Sequence, residues 1–476
     1  MKKAESAMKH TENPRQAGPA TAALQSTVVS PALASLALSI LLPSLGTSIA
    51  NIGLPTLMEA FGASFQAVQW VVLAYLLAIT TLIVGVGRLG DLLGRRRLLL
   101  AGIAVFTVAS ALCGLAPALP LLITMRAVQG LGAAIMMALA MACVGEAIPR
   151  ERTGSAMGVL GSMSAIGTAL GPALGGVLIA AAGWPAIFLI NLPLGLLAFV
   201  LVYRHLPASA PAAPKDGTGF DVPGTVLLAA TLAAYALALT IGRGHFGSLN
   251  LALLAGAALG VALFLRVEAR AAFPLIRPGM FGDASLRAGL LSSALVATVL
   301  MATLVVGPFH LSRALGLNAA AVGLVISMGP LVAALTAAPA GRLVDRLGAR
   351  PMTLLGLAGI GGACVLLAVL PTQLGVAAYL GPIVILTASY ALFQTANNTG
   401  VMAGIAPAQR GLVSGMLNLS RNLGLITGTS ALGAVFAAGG LHITFAVAAA
   451  LIGLALAITT LLRSPAGRPA PSGEAP

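Results

Sequence analysis

The stretch Gly87-Arg-Leu-Gly-Asp-Leu-Leu-Gly-Arg-Arg-Arg97 occurs again 254 positions later as Gly341-Arg-Leu-Val-Asp-Arg-Leu-Gly-Ala-Arg350. A second stretch is also repeated. Ile148-Pro-Arg-Glu-Arg152 resembles Ile405-Ala-Pro-Ala-Gln-Arg410, and Arg410 lies 258 positions after Arg152. Both pairs keep the same order and nearly the same spacing. The sequence therefore predicts two parallel copies of one structural unit.

Long apolar runs surround these repeats. Hydrophobic residues make up 58% of the 476 residues and charged residues only 8%, which leaves too few polar side chains to coat a soluble globule. Most runs can cross a hydrocarbon core of ~30 Å as helices that rise ~1.5 Å per residue. We therefore expect an all-α membrane protein with fourteen transmembrane helices, at about 31–58, 67–87, 98–116, 119–144, 154–181, 184–203, 223–242, 250–266, 288–309, 318–340, 352–370, 375–403, 412–437 and 443–462.

The basic residues are sorted between alternate gaps. If every run crosses the bilayer once, 22 of the 26 Lys and Arg residues lie on one side, and only Arg243 and Arg313 lie on the other. By the positive-inside rule the crowded side is cytoplasmic, which predicts a multi-pass protein of the plasma membrane, in bacteria the inner membrane, with both termini inside. Lipid contact accounts for the net charge of +14, so no nucleic-acid partner is expected.

The repeats also predict the division of the chain. Two six-helix bundles that face each other across an axis normal to the membrane form a transporter architecture, with a cavity at their interface. The expected segments are a flexible cytoplasmic tail at 1–30, an N-terminal bundle at 31–204, a cytoplasmic linker at 205–222, two inserted central helices at 223–267, a cytoplasmic loop at 268–287, a C-terminal bundle at 288–463 and a disordered tail at 464–476.

Several motifs occur in order on the predicted helices. The stretch 87–97 resembles the signature between helices 2 and 3 of the major facilitator superfamily, and Arg126-Ala-Val-Gln129-Gly130 resembles its helix-4 signature. Gly167-x-x-x-Gly171-Pro172-x-x-Gly175-Gly176 is similar to the helix-5 signature of its antiporters. Further similarity to the fourteen-helix drug:proton antiporters lies in Asn51–Pro55, Gln69–Tyr75 and Phe188–Gly195, so the resemblance covers roughly residues 31–462.

This resemblance implies a major facilitator fold and a secondary active transporter. The expected activity is efflux of a small amphipathic compound by alternating access, in exchange for protons, with no cofactor and no required oligomer. A facilitator or symporter of a small polar metabolite remains the alternative. No cluster of Cys, His or acidic residues and no nucleotide loop of the GxxxxGK[ST] type supports a catalytic residue, a metal site or an enzyme.

The first repeat is predicted to be a loop with a gating role. Glycine permits a sharp turn, and an acid beside several arginines can form charge contacts at the membrane rim. The resemblance implies that this loop latches the two halves in one state, whereas simple positive-inside anchoring is the alternative. The predicted gating residues are Gly87, Asp91, Gly94, Arg95 and Arg96.

The helix-5 motif predicts a close helix contact. Gly167, Gly171 and Gly175 are four positions apart and share one helix face, where small residues let a neighbouring helix approach. Pro172 removes a backbone donor and can bend the helix. With Gly176, the resemblance implies that this contact seals the cavity against proton leak; ordinary membrane packing is the alternative.

Two arginines lie inside predicted helices. Each costs ~2.5–3.5 kcal/mol at mid-membrane unless it meets water or a partner, so Arg126 and Arg421 are expected to face the interior. For Arg126, which lies nearer a helix end, snorkelling of its long side chain outward is the alternative. Uncharged polar residues are expected to join them in a substrate and coupling cavity, although many such side chains only join helices. The candidates are Thr47, Ser48, Asn51, Gln129, Gln394, Asn397, Asn398 and Asn418.

No acidic residue falls at the centre of an apolar run. The resemblance implies an Asp in helix 1, where this chain has Gly46, and the nearest other acids are Asp91, Glu146 and Glu59 near helix ends. A cavity with two arginines and no acid disfavours cations. We therefore expect neutral or anionic amphipathic substrates; their identity, the direction of transport and the proton coupling stay open at this point.

Overall fold

The computed structural model describes residues 31–147, 153–207, 222–241, 247–270, 282–403, 405 and 410–462. The predicted tails 1–30 and 464–476 lie outside these residues, as do most of the predicted linker and of the loop 268–287. The first half holds α1 Pro31–Ala60, α2 Phe65–Leu93, α3 Arg95–Gly114, α4 Leu119–Ala147, α5 Thr153–Ala182, a single turn Ala186–Leu189 and α6 Asn191–His205.

The inserted pair is α7 Val222–Thr240 and α8 Ser248–Glu268. The second half holds α9 Ala284–Phe309 with a π-helical end His310–Ala314, α10 Ala319–Leu347, α11 Ala349–Val369, α12 Val376–Met402, α13 Arg410–Thr427 with a π-helical end Gly428–Leu432, and α14 Gly433–Leu462.

Twelve segments of the described chain are long and apolar enough to cross a membrane. One of them, Met416–Leu462, contains two crossings, because the backbone leaves the helical region at Gly440, with φ of 71°. The shorter apolar stretch Ile166–Ala182 belongs to α5 and supplies one more. The described residues therefore contain the fourteen crossings that the apolar runs predict.

The short connections orient the helices. Residues 61–64, Gly94 and 115–118 each join two helices with no room for a return across the membrane, so consecutive helices run in opposite directions. With fourteen crossings, Pro31 and Leu462 lie on the same face. We call this face the termini end and the opposite face the far end.

The two halves repeat one packing scheme. In the first half α1 packs on α5, α3 on α4 and α2 on α4; in the second half α9 packs on α13, α11 on α12 and α10 on α12. Each helix therefore has its counterpart eight places along, with α7 and α8 between the halves. This arrangement confirms two six-helix bundles with two inserted helices.

The first repeat is not a loop, in contrast to the prediction. Helix α2 continues to Leu93, and the whole connection to α3 is Gly94, whose φ of 88° lies in the left-handed region that favours glycine. The second repeat is built in the same way around Gly348, also with φ of 88°. The glycines and charges before Gly94 suggested a turn, but the helix tolerates them.

The helix-5 glycines lie at the closest approach to α1. A methyl group at Gly167 would lie 2.7 Å from Leu41 O, and one at Gly171 would lie 2.9 Å from Ile49 N. The same arrangement occurs 257 positions later, where a methyl group at Gly424 or Gly428 would collide with carbonyl oxygens of α9. This second glycine pair was not recognised in the sequence, although its offset matches the repeat.

The halves meet along two seams. On one side α5 packs directly on α10, where Gly176 and Gly323 face each other and a methyl group on Gly176 would lie 3.1 Å from Gly323 Cα. On the other side α7 packs against both α2 and the end of α13, and its Tyr235 hydroxyl lies 3.0 Å from Thr427 Oγ1. The insertion therefore covers only one of the two seams.

The far end is closed. Phe65 of α2 packs edge-on against Phe309 of α9, with ring centroids 4.6 Å apart, and Phe436 completes the cluster. Next to it, Gln69 Nε2 donates a hydrogen bond of 2.7 Å to Thr429 O across the same seam. We call Phe65, Phe309 and Phe436 the far-end gate, because they join the two halves.

Candidate functional site

A cavity of about 340 Å³ lies in the middle of the molecule. Helix α12 contributes one face to it, with side chains three or four positions apart from Tyr379 to Thr395. Helices α9 and α10 form two further walls, and α5 of the other half contributes Ser164 and Thr168. The cavity therefore lies between the halves but is built mostly by the second half.

The walls combine apolar surface with a few hydroxyl groups. Leu300, Ile326 and Ile383 supply aliphatic surface, while the Tyr379 hydroxyl donates a hydrogen bond of 3.1 Å to Thr303 O. Tyr390 adds a second aromatic ring. This composition suits an amphipathic organic molecule, because ligand pockets are mostly apolar with a small number of placed polar groups.

Arg421 of α13 is the charged residue of this cavity. It also lines an adjoining polar space of about 100 Å³ with Gln394, Asn398 and Asn418, which leads along α12 and α13 toward the termini end. The Nε atom of Arg421 is buried and has no hydrogen-bond partner among the described residues. No acidic residue is among those that line either space.

Arg126 of α4 lies elsewhere, fully buried inside the first half. Its guanidinium donates hydrogen bonds to Val71 O at 2.8 Å, Gln129 Oε1 at 2.6 Å and Gly46 O at 3.2 Å. Its Cζ atom lies 4.0 Å from the centroid of the Tyr75 ring. Dipoles and an aromatic face thus solvate this cation in place of a carboxylate.

Gln129 extends the same network. Its Nε2 donates to Ser110 Oγ at 2.6 Å, and the Ser110 hydroxyl in turn donates to Phe106 O at 2.7 Å. Because Arg126 and Gln129 are completely buried, neither lines the cavity. The cavity therefore holds one arginine instead of the expected two. The position of Arg126 in its apolar run indicated how deep it lies in the membrane, but not that backbone carbonyl groups surround it.

The predicted polar residues of α1 lie inside the first half. Thr47 Oγ1 donates to Pro43 O at 2.9 Å, Ser48 Oγ donates to Gly167 O at 3.3 Å, and Asn51 Nδ2 donates to Thr47 O at 3.1 Å. None of the three is among the residues that line the cavity. Ser48 joins α1 to α5, as the alternative for such side chains proposes, whereas Thr47 and Asn51 bond to the preceding turn of α1.

Asn397 also joins helices, because its Nδ2 donates to Gly289 O of α9 at 3.1 Å. Of the predicted cavity residues, the structure thus brings together Gln394, Asn398, Asn418 and Arg421. The hydroxyl residues of the cavity were missed. Thr387, Tyr390, Gln394 and Asn398 recur at helical spacing on α12, a signal that the search for charges and amides overlooked.

The predicted gating residues lie at the termini end of the first half. Arg95 Nη1 donates to Ala142 O of α4 at 3.3 Å. The Arg96 guanidinium donates to Tyr203 O of α6 and lies 5.4 Å from the centroid of the Tyr203 ring. Gly87 and Asp91 belong to α2, and their side chains lie outside the described part of the chain.

Comparison with known proteins places these features in a family. The sequence model of the Major Facilitator Superfamily matches residues 36–309 and 289–476. Riboflavin transporter RibZ of Clostridioides difficile (strain 630) is 30% identical over 382 residues, which cover 80% of this chain and 82% of RibZ.

A second relative is multidrug resistance protein Stp of Mycobacterium tuberculosis (strain CDC 1551 / Oshkosh), 31% identical over 80% of this chain and 71% of Stp. The fold is similar to that of a bacterial homologue of the human lysosomal transporter Spinster, with a TM-score of 0.67, 16% identity and coverage of 92% of this chain and 97% of the other. On this evidence the chain belongs to the Major Facilitator Superfamily and is a multi-pass secondary transporter.

Proposed function

We propose that this chain exports neutral or anionic amphipathic compounds from the cytoplasm by alternating access, in exchange for protons. Relatives with about 30% identity support drug efflux, among them a protein named for multidrug resistance. The charge distribution supports a plasma-membrane protein with its termini end in the cytoplasm. In that orientation the far-end gate faces outward, and the cavity in this structure extends toward the cytoplasm.

The observation that carries the substrate class is the surroundings of Arg421. A buried guanidinium nitrogen without a partner, in a mostly apolar cavity without a lining acid, is a strong site for an acceptor group. A charge-assisted hydrogen bond in such a place contributes ~1.5–3 kcal/mol. A dication would meet repulsion there.

Proton exchange needs a different arrangement from the one the resemblance implies. Gly46 leaves no carboxylate in the middle of α1, and its carbonyl oxygen instead accepts a hydrogen bond from Arg126. The Asp91 and Glu146 side chains, at the termini end, lie outside the described part of the chain, and Glu59 is exposed near the far end of α1. We therefore propose that the titrating group lies at an end of the molecule and not at mid-membrane.

Transport by purified protein in liposomes tests this function. An aromatic carboxylate and an ethidium-like dication would be followed with and without a pH gradient, in wild type and in Arg421→Gln. Arg287→Gln is the matched control, because Arg287 is exposed at the start of α9. We expect accumulation of the carboxylate that depends on the gradient and that only Arg421→Gln reduces.

Strong accumulation of the dication by wild type, unaffected by Arg421→Gln, would contradict the substrate class. Carboxylate transport that ignores the pH gradient would contradict proton exchange alone. Alternating access has its own test, since a larger side chain at Gly323 would separate α10 from Gly176. Gly323→Val should expose a cysteine placed at Leu300, in the central cavity behind the far-end gate, to reagents from outside, whereas the same cysteine without Gly323→Val should stay protected.

A second candidate function is a carrier of a small polar metabolite. It is favoured by the relative named as a riboflavin transporter and by the amide groups of Gln394, Asn398 and Asn418 beside Arg421. Riboflavin combines a flat ring system with a polar chain. The central cavity is mostly apolar and the adjoining space is polar, so the two spaces match these two parts. Uptake of riboflavin into the same liposomes, unaffected by the gradient, would favour this candidate over efflux.

A further inference from the structure

A second cavity, of about 560 Å³, lies at the far end, beyond the far-end gate and separate from the residues around Arg421. Its walls come from both halves of the molecule. Helix α2 of the first half contributes Phe65 and Gln66, whereas the second half contributes the π-helical end of α9, the start of α14 and the side chains Phe309, His310, Arg313, Phe436 and His442.

One wall of this cavity is aromatic. The far-end gate supplies it, with ring centroids 4.6 Å apart for Phe65 and Phe309, 5.9 Å for Phe65 and Phe436, and 6.5 Å for Phe309 and Phe436. Aromatic rings associate by offset stacking or edge-to-face contact at such distances. A flat ring of a ligand therefore has a surface against which to lie.

The titratable side chains that line the cavity are basic, whereas Gln66 and Thr372 are neutral. His310 is 92% buried, since only 8% of its surface is exposed, and its ring has no hydrogen-bond partner among the described residues although it lines the cavity. The Arg313 guanidinium is exposed above the Phe309 ring, 5.7 Å from its centroid. His442 Nδ1 lies 3.0 Å from Ala368 O, which leaves its other nitrogen to face the cavity.

We propose that this far-end cavity binds small aromatic anions, a flat ring that carries a carboxylate or sulfonate group, and that the bound anion holds the far end closed. The ring would lie on the far-end gate, and the anionic group would accept hydrogen bonds from His310 and Arg313. Because the walls belong to both halves, a ligand between them stabilises the closed state over an open one.

The charge of this site depends on groups from several helices. The charged or titratable groups that face it are His310 and Arg313 of α9, His442 of α14 and Tyr379 of α12, while α2 supplies only the neutral Gln66. Glu59 of α1 follows Met58, whose sulfur lies 3.4 Å from Arg313 Nη2.

Equilibrium binding of 2-naphthoate to the purified full-length protein in lipid nanodiscs tests the site, with the neutral 2-naphthalenemethanol as the matched probe. We expect naphthoate to bind at least about tenfold more tightly than the alcohol, because only the carboxylate can accept charge-assisted hydrogen bonds from the basic side chains. His310→Gln and Arg313→Gln should each weaken naphthoate binding about tenfold, whereas Arg287→Gln, at an exposed position outside both cavities, should not.

Three results would overturn the proposal: no binding of naphthoate, equal binding of the alcohol, or binding that Arg421→Gln abolishes and Arg313→Gln leaves intact. The last result would place the probe in the central cavity. If His310→Gln did not fold, Arg313→Gln would still decide, because Arg313 is exposed and its loss leaves no cavity in the core.

Closure of the far end is tested by substrate counterflow, and this arm rests on the proposed transport function, whereas the binding arm does not. Naphthoate added at the far end should slow counterflow in wild type but not in Arg313→Gln. Competition in the central cavity would slow both proteins equally and overturn the closure mechanism. Absent counterflow in wild type without naphthoate would instead contradict the proposed function.

Discussion

The two halves of this transporter share one packing scheme and differ in what fills their interiors. The first half is closed around Arg126, whose guanidinium is enclosed by carbonyl groups and the Tyr75 ring. The second half encloses a cavity around Arg421, whose Nε has no partner among the described residues. A buried cation serves packing in one copy of the unit and is available to a ligand in the other.

The repeat offset shows where the halves diverged. The position 257 residues after Arg126 is Ile383, which lines the cavity, and the position 257 residues before Arg421 is Ser164, which lines the same cavity from α5. The glycines that set the distance between α1 and α5 keep the same offset. Helix packing was thus retained after duplication, while the residues inside each half changed.

The largest expected effect is that of Arg126→Ala on stability. Removing the guanidinium leaves Gln129 Oε1 without its donor and a space in the core of the first half, and truncating so large a buried side chain costs ~3–5 kcal/mol. The thermal unfolding midpoint in detergent should fall steeply. Ile383→Ala at the corresponding position should lower it much less, because that side chain faces a cavity; equal midpoints for the two variants would refute the contrast.

Next in size are the paired changes Gly167→Val and Gly424→Val. Both glycines face a backbone carbonyl of the neighbouring helix, so each added side chain must force the helices apart, at a cost of ~1–3 kcal/mol. Because the packing is repeated, the two losses of thermal stability should be similar. Gly362→Val in α11, where an added carbon meets nothing within 4 Å, is the control. A loss in one half only would break the equivalence of the halves.

Arg421→Gln should change transport and leave stability nearly unchanged. The loss of one charge-assisted contact to an anionic substrate corresponds to about a tenfold rise in the concentration needed for half-maximal transport. A neutral substrate of the same shape should be affected much less. An unfolding midpoint that falls as far as that of Arg126→Ala would show that Arg421 is structural too.

The smallest expected difference in stability is between two variants that each lose a hydroxyl group. Ser110 accepts a hydrogen bond from Gln129 in the filled half, and Ser110→Ala should cost ~1 kcal/mol of stability. Thr387 bonds only to Ile383 O of its own helix and lines the cavity, so Thr387→Val should leave the unfolding midpoint within error. The opposite order would show that the cavity wall, and not the Arg126 network, carries the stability.

The sequence determined the topology because apolar runs and basic gaps report directly on the membrane. The contacts inside each half could not be predicted from the sequence in the same way. Arg126 and Arg421 both lie deep in apolar helices, but only the position of Val71 O and Gly46 O explains why one is enclosed. Such acceptors belong to the backbone of neighbouring helices, so no pattern of side chains reveals them.

The candidate site was predictable in part for the same reason. Amide groups on α12 and α13 stood out in apolar runs, and Gln394, Asn398 and Asn418 do lie beside Arg421. The threonines and tyrosines of the wall are less conspicuous, since hydroxyl groups often bond to their own helix, as Thr387 does. The repeat at 87–97 was interpreted as a loop because glycine and charge mark turns in soluble proteins, whereas here α2 continues to Leu93.

The inserted helix α7 makes the two lipid-facing seams between the halves different. It covers the seam between α2 and α13, whereas the seam between α5 and α10 supplies lining residues of the central cavity, among them Thr168 and Ala337. On that side the direct contact of α5 with α10 separates the central cavity from the bilayer, with no inserted helix seen over it among the described residues. The two seams therefore present unlike surfaces to the lipid, an added helix on one side and the bare contact of the two halves on the other.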